Sequence, residues 1–304
     1  MGLKNNKKRL SRGTGKQYFV TISFLFPYLL LFSLFTILPV LVSIVLSFTS
    51  FNALETPVFV GWENYTRMFL NDSVFKIALK NTFLIAVITG PVGYLLSLAL
   101  AWFVNELNPK MRAFVTLIFY SPSIAGNAYM IWKLLFSSDE YGYANSILIT
   151  LGIIKTPIQW LTNTDYMLTI VIIVTIWMSM GTGFLSFVAG FQGIDRSYYE
   201  AGAVDGIKNR WQELWFVTLP LIKPQMMFAA VMSITSAFGV GDVVTNLCGS
   251  PSTDYAAHTI MNHLQDYGGV KYEMGYASAL ATFLFMLMVL SNIVIKKMIA
   301  KVGD

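Results

Sequence analysis

Charged residues divide the chain into long apolar runs and short polar connections. Six charge-free runs approach or exceed the roughly 18–20 residues that cross a bilayer as a helix. They are residues Gln17–Leu54, Asn81–Asn105, Ala113–Trp132, Tyr166–Ile194, Pro224–Gly241 and Met274–Ile295. The pattern therefore predicts an all-α integral membrane protein with six transmembrane helices.

Two features modify this simple pattern. A seventh charge-free run, Tyr141–Ile154, is too short to span and contains two glycines, so we expect an interfacial or re-entrant segment. Inside the third run, a proline lies among hydroxyl side chains that can satisfy the backbone groups it frees. We therefore expect a local kink rather than pathway residues at Tyr120, Ser121, Pro122, Ser123 and Asn127.

Composition supports the membrane assignment. Of 304 residues, 55% are hydrophobic and only 12% are charged, which is about half the charge of an average soluble domain. The first sixteen residues hold six Lys or Arg and no acid, as in the charged region of a signal peptide. The apolar run that follows is too long for a cleavable signal and lacks a small-residue cleavage site. We expect residues 1–16 to be a basic cytoplasmic tail and residues 17–50 an uncleaved first helix.

The distribution of basic residues predicts the orientation. If the amino terminus is cytoplasmic, 15 of the 21 Lys and Arg residues lie on that side and six lie outside, in agreement with the positive-inside rule. Both termini are then cytoplasmic, with an outer loop at 51–80, a five-helix core at 81–298 and a second tail at 299–304. Since topology accounts for the positive charge, we expect no nucleic-acid partner.

The longer inner connection, residues 195–224, carries structural signals of its own. Asp195 and Ser197 are suitable N-caps for a short helix, and Gly206 is suited to end it. A second helical stretch, Asn209–Val217, follows. It carries a stripe at helical spacing, formed by Trp211, Leu214, Trp215 and Thr218. Because tryptophan favours the bilayer surface, one face of this loop should contact the membrane and leave a polar face free for a partner.

This inner loop, YEAGAVDGIKNRWQELWFVTLPLIKP, resembles the EAA loop in the membrane subunits of bacterial ATP-binding-cassette (ABC) importers. The matching positions are Glu200, Ala201, Asp205, Gly206, Leu219, Pro220 and Pro224. Gly202 stands where the family usually has alanine, and Ile207 stands where alanine is common. Since glycine weakens a helix by up to roughly 1 kcal/mol relative to alanine, Gly202 should make the short helix less stable.

Further segments extend the resemblance to the carbohydrate-importing branch of that family, which includes maltose, oligosaccharide and glycerol-phosphate permeases. They are FVGWENYTRMF, NTFL, GYANSILITLGI and EMGYASALATFLF. The outer stretch FGVGDVVTNLCGSPST is similar to a segment of one of the two paired membrane subunits. Its ending, Cys248-Gly249-Ser250-Pro251, replaces the usual threonine-glycine-glycine-proline.

The resemblance implies a type I ABC importer transmembrane domain, non-catalytic by itself, in the bacterial cytoplasmic membrane. Its implied partners are a second six-helix permease subunit, two copies of a cytoplasmic ATPase, an extracytoplasmic solute-binding protein and membrane lipid. The implied ATPase contact is formed by Tyr199, Glu200, Ala201, Asp205, Gly206 and Pro220. The chain has no G-x-x-x-x-G-K-[ST] motif. We therefore expect it to bind no cofactor, and the ATPase subunits to hydrolyse ATP with Mg²⁺.

Sugar recognition inside a membrane calls for hydroxyl groups and aromatic faces. By their distance from the EAA glutamate, the resemblance implies substrate-pathway residues at Met178, Ser179 and Thr182. By their distance from the Cys248 ending, it implies a second set at Ser233, Ser236, Ala237 and Val240. Each serine hydroxyl could instead bond its own backbone or a neighbouring helix, and the sequence leaves both roles open.

The remaining polar residues give no separate site. We interpret Asp242 as interfacial rather than as a proton relay. His258 and His263 lack the four-residue spacing of a helical metal pair, so no metal is expected, and the single Cys248 cannot form an internal disulfide. A secondary transporter would show ionisable groups at membrane depth, and an intramembrane enzyme would show clustered catalytic groups. These two alternatives are therefore less favoured than the importer.

Overall fold

The computed structural model describes residues 21–301, and this part of the chain is almost entirely helical. Five helical segments are long and apolar enough to cross a membrane, and a bent helix pair gives a sixth. We number them as span 1 (Thr21–Leu46), span 2 (Ser73–Asn105), span 3 (Pro109–Ile124 with Tyr129–Leu135), span 4 (Thr164–Gln192), span 5 (Lys223–Cys248) and span 6 (Met274–Ala300). The expectation of an all-helical membrane protein is confirmed; the predicted 1–16 tail and the 299–304 tail beyond residue 301 lie outside the described residues.

Three spans contain internal irregularities. Span 1 includes a π-helical turn at Ser33–Ile37. Span 4 consists of Thr164–Met178 and Thr182–Gln192. Span 5 consists of Lys223–Phe238 and Gly241–Cys248.

The connections fall on two sides of the bundle. The side with residues 106–108 and 193–222 is called the loop side, and it carries Arg196–Val204, Arg210–Gln212, the π-helical Glu213–Thr218 and Leu219–Leu221. The opposite side carries an antiparallel pair of short strands, Thr49–Ser50 and Val58–Phe59, in which Thr49 pairs with Phe59. It also carries the helices Glu63–Thr66, Arg67–Asn71, Tyr143–Thr150, Thr253–Tyr255, Ile260–Gln265 and Asp266–Val270.

Charge gaps misplace the ends of several helices, including those of spans 2 and 6. Span 2 begins at Ser73 rather than at Asn81, because Lys76 and Lys80 lie exposed within its first turns. The Asp72 carboxylate caps this helix by accepting a hydrogen bond from the Phe75 amide at 2.8 Å. Span 6 similarly continues through two lysines to Ala300. A charged side chain ends an apolar run without ending a helix, so the outer loop predicted at 51–80 is shorter.

Span 3 differs from its predicted course. The helix passes through Pro122 and ends at Ile124, and the two parts of the span meet at 84°. The break lies at residues 125–128, which include Asn127 of the predicted interruption but not Pro122. The hydroxyls beside the proline donate to backbone carbonyls, from Ser121 to Ile118 at 2.9 Å and from Ser123 to Tyr120 at 2.8 Å. The helix thus accommodates the proline locally.

The predicted interfacial run contains the helix Tyr143–Thr150, held in place by one buried asparagine. The Asn145 side-chain amide donates to the carbonyls of Ser137, Asp139 and Ile158 at 3.0–3.1 Å. Its carbonyl oxygen accepts from the Trp160 indole at 2.9 Å. One residue therefore holds together the segment between spans 3 and 4.

Spans 2, 4, 5 and 6 form the packed bundle. Three clusters of buried apolar residues connect them, and one cluster includes Leu214, Leu219 and Ile222 from the loop side. Span 1 packs beside span 6, and its residues 21–42 are all exposed. Such an apolar, unburied helix is stable where hydrocarbon replaces water.

A buried network of ionisable side chains lies on the side opposite the loop side. The Asp72 carboxylate accepts hydrogen bonds from His263 Nε2 at 2.8 Å and the Tyr276 hydroxyl at 2.6 Å. Burial alone would raise the pKa of Asp72, but these bonds and the Phe75 amide outweigh it and hold that pKa well below its ordinary value. Burial, with repulsion from His263, lowers the pKa of His258 to about 4. Residues 21–301 contain no group of three metal-ligating side chains.

Candidate functional site

A cavity of about 280 Å³ lies between spans 2, 3, 4 and 5. Five of the seven residues implied by the resemblance line it: Met178, Ser179, Thr182, Ser233 and Ser236. Ala237 and Val240 do not, because both are buried in the packed bundle. Ala237 faces Gly90 of span 2, and Val240 packs with Ile85 and Val244. We call this space the central cavity.

The break in span 4 opens directly onto the central cavity. The first helix ends at Ser179, whose hydroxyl donates to the Ile176 carbonyl at 2.6 Å, and the second begins at Thr182. A Cβ atom on Gly93 of span 2 would lie 2.4 Å from the Ser179 hydroxyl oxygen. Glycine is therefore required at position 93 for the two spans to approach so closely.

Spans 2 and 3 also contribute to the central cavity, although no pathway residue was predicted in span 2 and a kink was favoured for the polar residues of span 3. Tyr94, Ser97, Tyr120 and Ser123 also line the central cavity. The Tyr94 ring packs edge-on against Phe187, with 5.3 Å between ring centroids, and its buried hydroxyl has no hydrogen-bond partner in the described part of the chain. For span 2, the sequence signal for this contribution was a row of small and polar residues within an otherwise apolar helix, namely Gly90, Gly93 and Ser97.

The lining of the central cavity consists of hydroxyl groups, aromatic rings, small residues and methionines, with no charged side chain. The Ser233 hydroxyl is already bonded to the Gly90 carbonyl at 2.8 Å, whereas the exposed Ser236 has no such bond among the described contacts. This arrangement can hydrogen-bond a neutral polar solute and stack against its ring faces. It contains no nucleophile with an adjacent base.

The loop helix, Arg196–Val204, forms as its sequence predicts. The Asp195 carboxylate accepts from the Ser197 amide at 2.8 Å, and this bond lowers the pKa of Asp195. Gly206 ends the helix with a φ of +96°, a conformation that glycine adopts without strain. Its amide donates to the Ala203 carbonyl at 3.3 Å. The predicted cap at Asp195 and stop at Gly206 are confirmed.

The second part of the loop differs from prediction. Asn209–Val217 was expected as one helix, but a π-helical turn occupies Glu213–Thr218. The expected aromatic stripe is therefore divided: Leu214 and Thr218 are buried, while Trp211 and Trp215 are exposed. A π turn is wider than an α turn, which changes the faces that these side chains share. This turn could not be recognised from residue spacing.

Two contacts fix the loop to the end of span 2. The Trp211 and Trp102 rings lie 4.8 Å apart, and Arg210 forms an ion pair at 3.0 Å with Glu106, the residue that follows span 2. A second ion pair of Arg210, with Glu213 at 2.8 Å, lies within the loop. Within the loop, the Tyr199 and Thr218 hydroxyls are 3.1 Å apart. The loop helix thus contacts Thr218, which lies shortly before span 5, and the following part of the loop contacts the end of span 2.

The free surface of the loop helix includes most of the implied ATPase-contact residues. Glu200, Ala201 and Asp205 are exposed, and Glu200 lies 3.9 Å from Arg196. Tyr199 and Pro220 are half-buried. Val204, which sequence analysis did not single out, is 88% exposed.

Comparison with known proteins assigns the family. Residues 5–302 match the model of the family described as "Binding-protein-dependent transport system inner membrane component". The chain belongs to this family. It is accordingly a protein of the cytoplasmic membrane, as expected from the sequence.

Individual members of the family are similar over most of their length. "Probable ABC transporter permease protein YesP" of Bacillus subtilis (strain 168) is 30% identical, over 94% of this chain and 92% of the relative. "Lactose transport system permease protein LacF" of Rhizobium radiobacter is 36% identical, over 78% of this chain and 79% of the relative. A solved bacterial alginate ABC transporter, in complex with an alginate pentasaccharide-bound periplasmic protein, shares the fold with a TM-score of 0.75 at 23% identity, over 95% of this chain and 96% of that chain.

The two departures from the EAA pattern contact each other. A Cβ atom on Gly202 would lie 3.0 Å from the Ile207 side chain and 3.2 Å from that of Val217. Because alanine favours the helix but crowds Ile207, we expect Gly202→Ala to change thermal stability little, by less than about 1 kcal/mol. Gly202→Ala with Ile207→Ala should be more stable than Ile207→Ala alone. Thermal unfolding of the four proteins in detergent measures the coupling, and strict additivity would contradict it.

Proposed function

We propose that this chain is a permease subunit of an ATP-driven, solute-binding-protein-dependent importer of sugars, and of oligosaccharides in particular. The observation that carries the proposal is the loop helix. It presents exposed carboxylates and an exposed valine, and its other face contacts Thr218 of the same loop, which is anchored to span 2 where Trp211 packs on Trp102. A surface of this kind transmits the movement of a partner to the membrane spans.

The sugar class is supported by the central cavity and by the relatives. Hydroxyl and aromatic side chains without charge suit a neutral polyhydroxylated solute. The relative LacF is named for lactose transport, and the structural neighbour is complexed with a periplasmic protein that holds an oligosaccharide. Both facts concern those proteins, and they support the same solute class for this one.

The proposed assembly contains partners on both faces of the membrane. The loop side is cytoplasmic, so both termini are cytoplasmic, and the opposite side receives an extracytoplasmic solute-binding protein. A second six-helix permease completes the pathway. Two copies of an ATPase hydrolyse ATP with Mg²⁺, and this chain binds no cofactor and catalyses no reaction.

Reversal of one charge on the loop helix should release the ATPase. We expect Glu200→Arg to lower ATPase recovery at least tenfold when the tagged chain is extracted in mild detergent, because a rim charge facing a partner becomes repulsive by roughly 1–2 kcal/mol or more. Recovery of the second permease should not change. Mass spectrometry of the co-purified proteins provides the measurement.

The matched control is Glu140→Arg, which changes the same charge at an exposed position on the opposite side. It should retain the ATPase. Recovery of wild-type chain without any ATPase or second permease would favour the self-contained secondary transporter instead. Equal ATPase recovery with both variants would show that Glu200 does not contribute to the ATPase contact, and it would not contradict the importer proposal.

A further inference from the structure

A second concave surface adjoins the central cavity on the loop side. It is a groove of about 400 Å³ between the first helix of span 3 and the end of span 4. Tyr120 lines both this groove and the central cavity. The two spaces therefore form one continuous surface with Tyr120 at their junction. We call the second space the loop-side groove.

Polar side chains follow the groove at a regular interval. Arg112, Thr116 and Tyr120 are four residues apart, so they lie one above another on one face of the Pro109–Ile124 helix. At about 1.5 Å per residue, this row extends roughly 12 Å from the central cavity toward the loop side. Gln192, the last residue of span 4, faces the row from the other wall.

The groove ends where the spans end. One guanidinium nitrogen of Arg112 donates to the carbonyls of Asn105 and Leu107 at 3.0 and 3.1 Å, and these residues connect span 2 to span 3. Pro109 at the first turn of span 3 and Gln192 at the last turn of span 4 complete this end. The row of polar groups thus reaches the surface that carries the loop helix.

The helix that carries the row is poorly packed within this chain. Of the 16 residues of Pro109–Ile124, only Pro122 is buried. Polar groups beside lipid hydrocarbon are costly, and buried ones normally find a hydrogen-bond partner. Yet the Thr116 hydroxyl oxygen and Arg112 Nε, both shielded by neighbouring atoms, have none in the described part of the chain, and Gln192 on the facing wall is exposed. A water-filled path on this face accounts for the polar row better than lipid does.

We propose that the loop-side groove is the cytoplasmic half of the solute pathway. Solute leaves the central cavity past Tyr120 and moves along Thr116 toward Gln192, whose exposed amide bonds its hydroxyls. This inference rests on the proposed function, since it requires a solute that crosses the bundle. The polar residues of span 3 then contact solute directly, whereas the sequence alone favoured a structural kink for this part of the span.

Cysteine accessibility tests the groove without knowledge of the sugar. In a Cys248→Ser background the described chain has no other thiol, so Thr116→Cys can be labelled alone in the assembled complex. We expect a charged, membrane-impermeant maleimide to label Thr116→Cys from the loop side in the absence of nucleotide, because the reagent requires a hydrated thiolate. Trapping the ATPase with ATP and vanadate should slow this labelling at least about tenfold, since a pathway that opens to one face of the membrane at a time must close on the loop side when it opens on the other.

Ile118→Cys is the matched control. Ile118 lies two residues away, is exposed, and does not line the groove, so its labelling should be slow in both states. Ala113→Cys, which lines the groove and alters little volume, repeats the test if Thr116→Cys fails to assemble.

The outcomes separate the two proposals. Slow labelling of both groove positions in a complex that retains its ATPase would overturn the groove and leave the importer in place. Cross-linking of Thr116→Cys to the second permease in every state would overturn the groove as well, because the helix would then be a static interface. Absence of any ATPase from the purified complex would refute the proposed function first, and the groove with it.

Discussion

Gly206→Pro is expected to abolish solute uptake while leaving the chain inserted in the membrane. Gly206 has a φ of +96°, whereas the proline ring fixes φ near −65°. The substitution also removes the amide that donates to the Ala203 carbonyl. The turn between the loop helix and Arg210–Gln212 therefore cannot form as it does in the native protein.

The substitution should impair transport without unfolding the membrane-spanning bundle. The turn lies outside the three buried clusters, and a Cβ atom on Gly206 would meet no atom within 4 Å. The strain, roughly 1–3 kcal/mol for one disallowed residue, will be relieved by displacement of the loop helix from its contacts with Val217 and Thr218. Uptake into cells or proteoliposomes should fall to background, with unchanged amounts of the chain in the membrane fraction.

Two controls distinguish turn geometry from general damage. Gly206→Asn should retain substantial uptake, because asparagine tolerates positive φ better than other side chains. Gly152→Pro makes the same change at another glycine of positive φ, 70°, on the opposite side of the bundle, and should leave ATPase association intact. Normal uptake by Gly206→Pro would refute the coupling role of the loop.

The sequence predicts well those features that depend on hydropathy or on one residue's backbone chemistry. Charge-free runs locate the spans because the bilayer requires a minimum apolar length. The Asp195 cap and the Gly206 stop follow from local hydrogen bonding and from permitted φ. The start of span 2 does not follow from the charge-free runs, because a helix can project beyond the membrane and carry exposed lysines there.

Features that depend on contacts between distant segments are not predicted by the residue pattern along the chain. The break of span 3 falls at residues 125–128 rather than at its proline, and the π turn at Glu213–Thr218 has no residue signature. Tyr94 has the same sequence signature as any aromatic residue in an apolar helix. Its position in the cavity depends on Gly93, which permits spans 2 and 4 to approach closely. The resemblance located Ser179 and Ser236 but also included Ala237 and Val240, whose faces point into the bundle.

Ser236→Trp should block uptake while the complex remains assembled. Ser236 is exposed on the face of span 5 that lines the central cavity, and that cavity has a volume of about 280 Å³. An indole at this position fills much of the space that a sugar ring requires, and overpacking a confined site is unfavourable by roughly 1–3 kcal/mol even where neighbours can shift. We expect uptake to fall at least tenfold. ATPase recovery in mild detergent should equal that of the wild type, because Ser236 is far along the chain from the loop helix.

Thr235→Trp is the matched control, since Thr235 is the preceding residue, is also exposed, and does not line the central cavity. Its uptake should remain close to that of the wild type. The measurement is the initial rate of uptake of the sugar identified from the co-purified solute-binding protein, normalised to assembled complex. If Ser236→Trp imports that sugar at the wild-type rate with an unchanged substrate range, the solute does not pass beside this face of span 5, and the central cavity is not the pathway. A large loss with Thr235→Trp but not with Ser236→Trp would instead place the pathway on the neighbouring face of the same helix.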